Sequence, residues 1–154
     1  MNKKPKICMI CSAGGHFDQL WLLMNTMDIS KYDIYWVTIS NKHLHKKLGA
    51  FRYYTILNAT LQKWTWVINT IQSLWLLIKE KPDVIMSSGA GVAYPTIYFG
   101  KKIFKCKIIY LCSCANVTNP SRVPYRAYPL SDLFLIQWPE LKTIFPNSKY
   151  IGVL

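Results

Sequence analysis

Residues Lys6 to Leu20 read KICMICSAGGHFDQL: an apolar run, then a turn of small residues, then a pattern with helical spacing. A strand that turns directly into a helix leaves the first N–H groups of the helix without an intrahelical acceptor, and such groups can bind a phosphate. Glycine suits this turn because it permits positive φ angles and a close approach of the ligand to the backbone. The segment therefore predicts a phosphate-binding site at this turn.

The spacing of the glycines argues against the common nucleotide sites. Gly14-Gly15-His16 matches neither the G-x-G-x-x-G dinucleotide fingerprint nor the phosphate loop that ends in Gly-Lys-Ser/Thr. A dinucleotide-dependent oxidoreductase would also need a ribose-binding carboxylate at the end of the second strand, where Ser40-Asn41-Lys42 stands. We therefore expect a different phosphate ligand.

His16 falls in the first turn of the predicted helix. The positive end of the helix dipole lowers the pKa of the imidazole there and favours its neutral form. A neutral imidazole can accept a proton from a hydroxyl nucleophile, which makes His16 the candidate catalytic base. The alternative interpretation is that His16 only caps the helix or packs against it.

The chain has 154 residues and a net charge of +12, from 19 Lys and Arg against 7 Asp and Glu. This length predicts a single domain, residues 1–154. The charge suits an anionic partner such as a lipid surface, a phosphorylated substrate or nucleic acid, but several solvated basic faces would give the same total. Nucleic acid is disfavoured because Trp64, Trp66 and Trp75 lie among Leu and Ile and are not interleaved with Lys and Arg.

The cysteine pattern indicates neither disulfides nor a metal site. Five cysteines are an odd number, and the N-terminus carries no secretory signal pattern, so a reducing cytoplasm is expected. Cys8 and Cys11 form a C-x-x-C inside a strand, with no second pair at zinc-binding spacing. We predict no bound metal and no cofactor, and we interpret most of the cysteines as small core residues.

Short apolar runs alternate with helix-period segments, which predicts an α/β fold with a Rossmann-like, doubly wound parallel sheet. The predicted strands are Lys6–Cys11, Asp33–Ile39, Asp83–Ser87, Lys107–Leu111, Leu133–Ile136 and Lys149–Val153. The predicted helices are His16–Met27, Leu61–Lys79 and Val92–Phe104, with a short turn after Pro139.

A second strand ends in a small-residue loop, Ser87-Ser88-Gly89-Ala90-Gly91, and again a helix follows. In a doubly wound sheet, ligands bind at the carboxyl ends of the strands beside the point where the strand order reverses. The two loops are therefore expected to line one crevice. The alternative is that these glycines only permit a tight turn.

The segment from Leu61 to Ile78 is predicted to be a helix with a wide apolar face and a narrow polar stripe. Polar residues interrupt it too often for a membrane span, and its three tryptophans with basic neighbours are typical of a helix lying in the membrane interface. The residues predicted to contact the membrane are Trp64, Trp66, Ile71, Trp75 and Leu76. The alternative is a core helix whose extra apolar surface meets a protein partner.

Ordered motifs along nearly the whole chain resemble one family. They are Ser12-Ala13-Gly14-Gly15-His16 with Gln19-Leu20, Ser87 to Pro95, Asn116 to Ser121, Leu135 to Glu140, and Tyr150 to Leu154. The chain resembles the bacterial PssD/CpsF/EpsE type of exopolysaccharide and capsule protein. These proteins are similar to the membrane-anchoring subunit of the eukaryotic UDP-N-acetylglucosamine transferase that makes the second sugar of dolichol-linked oligosaccharide.

The resemblance implies the amino-terminal domain of a split GT-B glycosyltransferase, related in plan to MurG and bound peripherally at the cytoplasmic face of the membrane. A separate chain of the PssE/CpsG type would carry the carboxyl-terminal domain and most contacts to the UDP-sugar. This chain would bind a polyprenyl-diphosphate-linked sugar acceptor. The implied acceptor- and phosphate-binding residues are Ser12, Gly14, Gly15, His16, Ser88, Gly89, Ala90 and Gly91, with His16 as the base.

One departure from the family pattern concerns the end of the predicted strand Lys107–Leu111. Relatives usually read Tyr-Ile-Glu-Ser with an Arg three positions after the Ser, whereas this chain has Cys112 and Asn116 at the positions of the Glu and the Arg. An acid/base role therefore does not carry over to these positions. Either the missing pair is structural, or the chain is a non-catalytic anchoring module that recruits its partner.

Overall fold

The computed structural model describes residues 3–58 and 63–154. Within them, seven parallel strands form one sheet in the order β3-β2-β1-β4-β5-β6-β7. The strands are β1 Lys6–Ile10, β2 Asp33–Thr38, β3 Arg52–Thr55, β4 Val84–Ser87, β5 Lys107–Leu111, β6 Leu133–Ile136 and β7 Lys149–Tyr150. The strand order reverses between β1 and β4, so the predicted doubly wound parallel sheet is confirmed.

In the same described residues, five α-helices connect these strands. They are α1 Gly15–Asn25, α2 Lys42–Leu48, α3 Lys63–Glu80, α4 Tyr94–Lys102 and α5 Arg122–Ala127. Alternate side chains of the buried strands point to opposite faces of the sheet, and each face has its own core. Cys8 and Ile10 of β1 face a core shared with α3, α4 and α5. Ile7 and Met9 face a core shared with α1 and α2.

Three elements are absent from the sequence-based prediction: β3, α2 and α5. Strand β3 reads RYYT and is exposed or half-buried at every position, so it offers no apolar run. Helix α2 reads KHLHKKL, and among its described side chains only Leu44 and Leu48 are buried. Helix α5 has six residues and contains Pro124. The last strand ends at Tyr150 and not at Val153, and the predicted start of the third helix at Leu61 lies outside the described residues.

A cluster of ion pairs connects the C-terminal end of α3 to the amino-terminal ends of β1 and β3. The buried carboxylate of Glu80 pairs with Lys6 at 3.0 Å and with Arg52 at 3.3 Å, and it accepts a hydrogen bond from the hydroxyl of Tyr54. These partners outweigh the effect of burial and lower the pKa of Glu80. The cluster lies at the opposite end of the strands from the glycine loops, and its part in the fold is to hold α3 against β1 and β3.

Candidate functional site

Hydrogen bonds join the two glycine loops at the point where the strand order reverses. The Nδ1 of His16 lies 2.8 Å from the carbonyl oxygen of Ser88, and the hydroxyl of Ser88 donates to the carbonyl oxygen of His16 at 2.6 Å. Because β1 and β4 are paired neighbours in the sheet, the loops that follow them leave from the same edge. The two loops therefore form one mouth, which we define as residues 12–16 and 88–91.

The contact with Ser88 fixes the chemistry of the His16 ring. A carbonyl oxygen can only accept a hydrogen bond, so Nδ1 carries the proton and Nε2 keeps its lone pair. Burial lowers the pKa of His16 below its usual value, and the hydrogen bond to the Ser88 carbonyl opposes this only in part. The direction agrees with the sequence argument, but burial, which that argument did not consider, is the main cause in the structure. His16 is thus a neutral imidazole at pH 7 with Nε2 as a proton acceptor.

Gly89 packs closely against the His16 ring. Its φ is +109°, and a Cβ at this position would lie 2.7 Å from the hydroxyl of Tyr110 and 3.3 Å from Cε1 of His16. Ala90 follows with φ 72° and ψ 147°, close to a region that is almost restricted to glycine and costs about 1–3 kcal/mol for other residues. The loop is therefore both tightly packed and strained where it meets His16.

The accessible part of the mouth is the start of α1. Gly14, with φ +84°, stands at the N-cap, and both Gly14 and Gly15 are exposed. A Cβ added to either glycine would face open space, with no atom of a non-neighbouring residue within 4 Å. Ser12, His16, Ala90 and Gly91 are partly exposed. The first N–H groups of α1 have no intrahelical acceptor, and the helix dipole places partial positive charge on them, so these features suit an anionic group.

Two residues predicted to contact the phosphate have a different role in the structure. Ser88 is fully buried, with its hydroxyl bonded to His16, and Gly89 is buried beneath His16 and Tyr110. Both therefore hold His16 in place and do not line the open surface of the mouth. The sequence argument treated each loop as a phosphate cradle and had no way to show that one loop covers the other.

A cleft of about 320 Å³ beside Gly14 was not predicted. It lies between α1 and α2, and its lining includes Asp18, His43 and Lys47. Lys47 pairs with Asp18 at 3.0 Å, and both side chains are more than half exposed. The basic residues of α2 were visible in the sequence only as part of a scattered charge, because α2 itself was not predicted.

A buried network of side-chain amides connects α1 to the chain segments that follow β5 and β6. The Nε2 of Gln137, after β6, donates to Oε1 of Gln19 at 2.9 Å and to the carbonyl of Cys112 at 3.0 Å. The same Gln19 oxygen accepts from the backbone N–H of Cys114 at 3.1 Å. Helix α1 is thereby tied to the ends of β5 and β6. Both glutamines belong to the motifs that carry the family resemblance, which was the signal that could have identified them.

Cys112 and Asn116, which replace the expected acidic and basic pair, are in contact. The amide of Asn116 lies 3.7 Å from Sγ of Cys112, and its oxygen accepts a hydrogen bond from the backbone N–H of Ser121 at 3.1 Å. Burial raises the pKa of the Cys112 thiol to about 11, so this side chain does not ionise near neutral pH. The position joins the end of β5 to the following loop and offers no acid/base group. Among the described residues, no group of three or more His, Cys, Asp or Glu could hold a metal ion.

Helix α3 turns its polar stripe towards the protein and its apolar stripe outwards. The amide of Asn69 donates to the Leu57 carbonyl at 2.8 Å, and Thr96 of α4 donates to the Ser73 hydroxyl at 2.9 Å. Both Asn69 and Ser73 are fully buried. The outward apolar stripe consists of side chains that are between 37% and 61% exposed: Trp64, Val67, Ile68, Ile71, Trp75 and Ile78.

This orientation corrects one of the five predicted membrane residues and places a second on the flank of α3. Leu76 is 3% exposed and packs in the core with Leu77, so it cannot face a lipid surface. Trp66 is half-buried and lies on the flank of α3 that faces α4. Trp64, Ile71 and Trp75 do belong to the outward stripe. No helix in the described part of the chain combines the length and the apolar character needed to cross a membrane.

Comparison with known proteins places the chain in a family. Residues 55–154, more than half of its length, match the family described as "Oligosaccharide biosynthesis protein Alg14 like". The chain belongs to the Alg14-like family. The matched range contains α3, the Ser88–Gly91 loop and Gln137, whereas His16 and Gln19 lie before it.

Two relatives show how much of the chain is similar to characterised proteins. The UDP-N-acetylglucosamine transferase subunit alg14 of Schizosaccharomyces pombe is 25% identical over 184 residues, which cover 99% of this chain and 86% of that protein. The human UDP-N-acetylglucosamine transferase subunit ALG14 is 34% identical over 101 residues, which cover 59% of this chain and 47% of that protein.

Solved structures show the same fold at low identity. MurG of Acinetobacter baumannii superposes with a TM-score of 0.74 at 14% identity, covering 96% of this chain and 44% of that chain. The UDP-N-acetylglucosamine 2-epimerase of Rickettsia bellii also gives 0.74, at 15% identity, covering 98% of this chain and 45% of that chain. This chain thus spans less than half of either structure, and the predicted Rossmann-like fold, of the GT-B amino-terminal type, is confirmed.

We expect nitrogen NMR of the imidazole to show His16 as the Nδ1–H tautomer, with a pKa below 6.5, because Nδ1 donates to Ser88 and the ring is buried. Gly89→Ala should displace the ring and move this pKa towards the usual value. Gly15→Ala is the matched control. Gly15 is next to His16 in the chain, but a methyl group added there faces open space, so the titration of His16 should stay unchanged. A ring that titrates at 6.5 or above, or that carries its proton on Nε2, would contradict this geometry.

Proposed function

We propose that this chain is the acceptor-binding, membrane-associating subunit of a two-chain UDP-sugar glycosyltransferase that acts on a polyprenyl-diphosphate-linked saccharide. The PssD/CpsF/EpsE-like motifs support a role in capsule or exopolysaccharide synthesis. The single observation that carries the proposal is the geometry of the mouth. His16 is neutral, its Nδ1 is bonded to Ser88 while its Nε2 is not, and it lies beside the accessible start of α1.

The proposed chemistry follows from this arrangement. The N–H groups at the start of α1 and the helix dipole bind the acceptor diphosphate, while Gly14 and Gly15 leave room for it. Nε2 of His16 takes the proton of the acceptor hydroxyl as its oxygen attacks the anomeric carbon of the UDP-sugar, and UDP leaves. A net charge of +12 favours the approach of such an anionic, lipid-linked substrate.

A partner subunit is supported by the relatives and by the surface of this chain. The relatives from Schizosaccharomyces pombe and human are described as subunits of a UDP-N-acetylglucosamine transferase, and we infer that a carboxyl-terminal-domain subunit of the PssE/CpsG type provides most contacts to the UDP-sugar. Parallel sheets are normally covered on both faces. Here an apolar cleft of about 280 Å³ remains beside α1, lined by residues of β4, β5 and β6 that include Ile109, Leu133 and Leu135. This sheet surface is our candidate for the partner interface.

Association with the membrane, which we propose to occur at its cytoplasmic face, is supported by the orientation of α3. An amphipathic helix on a soluble domain normally buries its apolar face, whereas α3 buries Asn69 and Ser73 and exposes Ile71 and Trp75. An exposed apolar stripe of this length, with tryptophans and with Lys79 stacked 4.7 Å from the Trp75 ring, is typical of an interfacial helix. We infer peripheral binding through this stripe.

A second candidate function is recruitment of the partner enzyme without a catalytic contribution. It is favoured by Cys112 and Asn116, which leave no acid/base group at the end of β5. The two candidates share the membrane stripe and the partner interface, and they differ in whether His16 takes part in the reaction.

Co-expression with the neighbouring reading frame tests the two-chain arrangement. We expect transfer to polyprenyl-diphosphate-linked glucose, from a panel of UDP-sugars that includes UDP-N-acetylglucosamine, only when both chains are present. Leu133→Lys should abolish co-purification and activity because it places a charge on the apolar sheet surface. Leu22→Lys, at an exposed leucine of α1 outside that cleft, is the control and should keep both. Full activity from this chain alone would refute the arrangement.

Flotation with vesicles that contain anionic phosphatidylglycerol tests the outward stripe. Ile71→Glu should weaken binding by about tenfold or more, since burying an isoleucine side chain stabilises by about 1.5–3 kcal/mol. Ile29→Glu, which changes an exposed isoleucine on the turn after α1, should have little effect. Equal losses for the two variants, or no loss for Ile71→Glu, would show that the stripe does not face the lipid.

A further inference from the structure

A groove of about 430 Å³ lies between α3, α4 and α5, apart from the mouth. Its volume is within the range of small-molecule sites. The side chains that line it are mostly aromatic: Trp66 from α3 and Tyr94, Tyr98 and Phe99 from α4. Pro95, Thr70 and Arg126 complete the lining, and Arg126 is its charged residue. The groove therefore suits an elongated apolar ligand with a polar end.

One end of the groove is next to the mouth. Tyr94 begins α4 and follows the Ser88–Gly91 loop by three residues, so the loop that holds His16 leads directly into the groove wall. The guanidinium of Arg126 lies 5.8 Å from the centre of the Tyr94 ring. Within residues 3–58 and 63–154, Arg126 forms no ion pair with a carboxylate. A positive charge is thus available for an anion at this end.

The other end of the groove borders the outward stripe of α3. Trp66 and Thr70 line the groove and are sequence neighbours of Val67 and Ile71, which are 60% and 61% exposed. Tyr98, on the opposite wall, is 40% exposed. The groove therefore lies beside the apolar stripe of α3.

We propose that this groove binds the isoprenoid segment adjacent to the diphosphate of the lipid-linked acceptor, with Arg126 contacting the anionic end. This inference rests on the proposed function and adds a binding site for the lipid. The order of groups supports this occupant over a protein segment: a cation next to the mouth, then an aromatic wall, then the lipid-facing stripe. A polyprenyl diphosphate carries an anion, an apolar chain and a membrane-embedded tail in that same order.

Calorimetric titration of the full chain in detergent-free buffer tests the proposal, with farnesyl diphosphate and inorganic diphosphate as the two probes. Farnesyl diphosphate should bind about tenfold more tightly or better, because the groove buries its apolar chain. Tyr98→Glu should remove this advantage and leave the affinity for inorganic diphosphate unchanged. Tyr150→Glu, at a tyrosine of similar exposure on β7, is the control and should keep it.

A second pair of variants tests the anionic end. Arg126→Gln should weaken the binding of farnesyl diphosphate by about tenfold, since it removes a charge-assisted contact. Arg122→Gln changes an exposed arginine of the same helix that does not line the groove, and it should have little effect. A photoreactive farnesyl diphosphate should label peptides that contain Trp66 or Tyr98.

The outcomes separate this inference from the proposed function. If both probes bind with equal affinity and Tyr98→Glu has no effect, the groove does not hold the lipid, and diphosphate binding at the mouth still stands. Labelling confined to the sheet surface around Leu133 would also contradict the assignment of the groove as the lipid-binding site. If neither probe binds the wild-type chain, the proposed function fails together with this inference.

Discussion

The reciprocal hydrogen bonds between His16 and Ser88 are the contact on which the rest of the site depends. They join the loops after β1 and β4, which are neighbours only because the strand order reverses between them. Without this bond, Nδ1 would be free to lose its proton, and the ring would have no fixed direction. With it, the burial of the ring and the acceptor role of Nε2 follow together. The strained Ala90 and the tightly packed Gly89 lie in the same loop.

Polar contacts of α3 set a second constraint. Asn69 and Ser73 bond to Leu57 and Thr96, and these contacts fix the rotation of the helix about its axis. A helix locked in this rotation must present Ile71, Trp75 and Ile78 to its surroundings. The same chain therefore combines a polar mouth at the carboxyl ends of its strands with an apolar surface on one flank. This combination is the basis of our proposal that the substrate is anionic at one end and a lipid at the other.

The sequence predicted the fold because its strongest signals are local. Buried strands such as β1 and β4 read as apolar runs, and the glycine loops mark where they end. Elements with little apolar content, such as β3 and α2, gave no such signal. Within the candidate site, His16 was predicted from its place after two glycines. The burial of Ser88, the inward rotation of Leu76 and the link between Gln19 and Gln137 depend on contacts between residues far apart in the chain. Periodicity alone could not provide them.

The turnover of the reconstituted two-chain enzyme with His16→Ala tests the central claim most directly. If Nε2 of His16 accepts the proton of the acceptor hydroxyl, kcat should fall by about 10²–10⁴-fold while the complex still forms and still binds vesicles. The wild-type pH profile should keep its activity down to below pH 6.5, in line with the lowered pKa of His16. An unchanged kcat for His16→Ala would contradict the catalytic assignment and leave this chain the recruiting subunit alone.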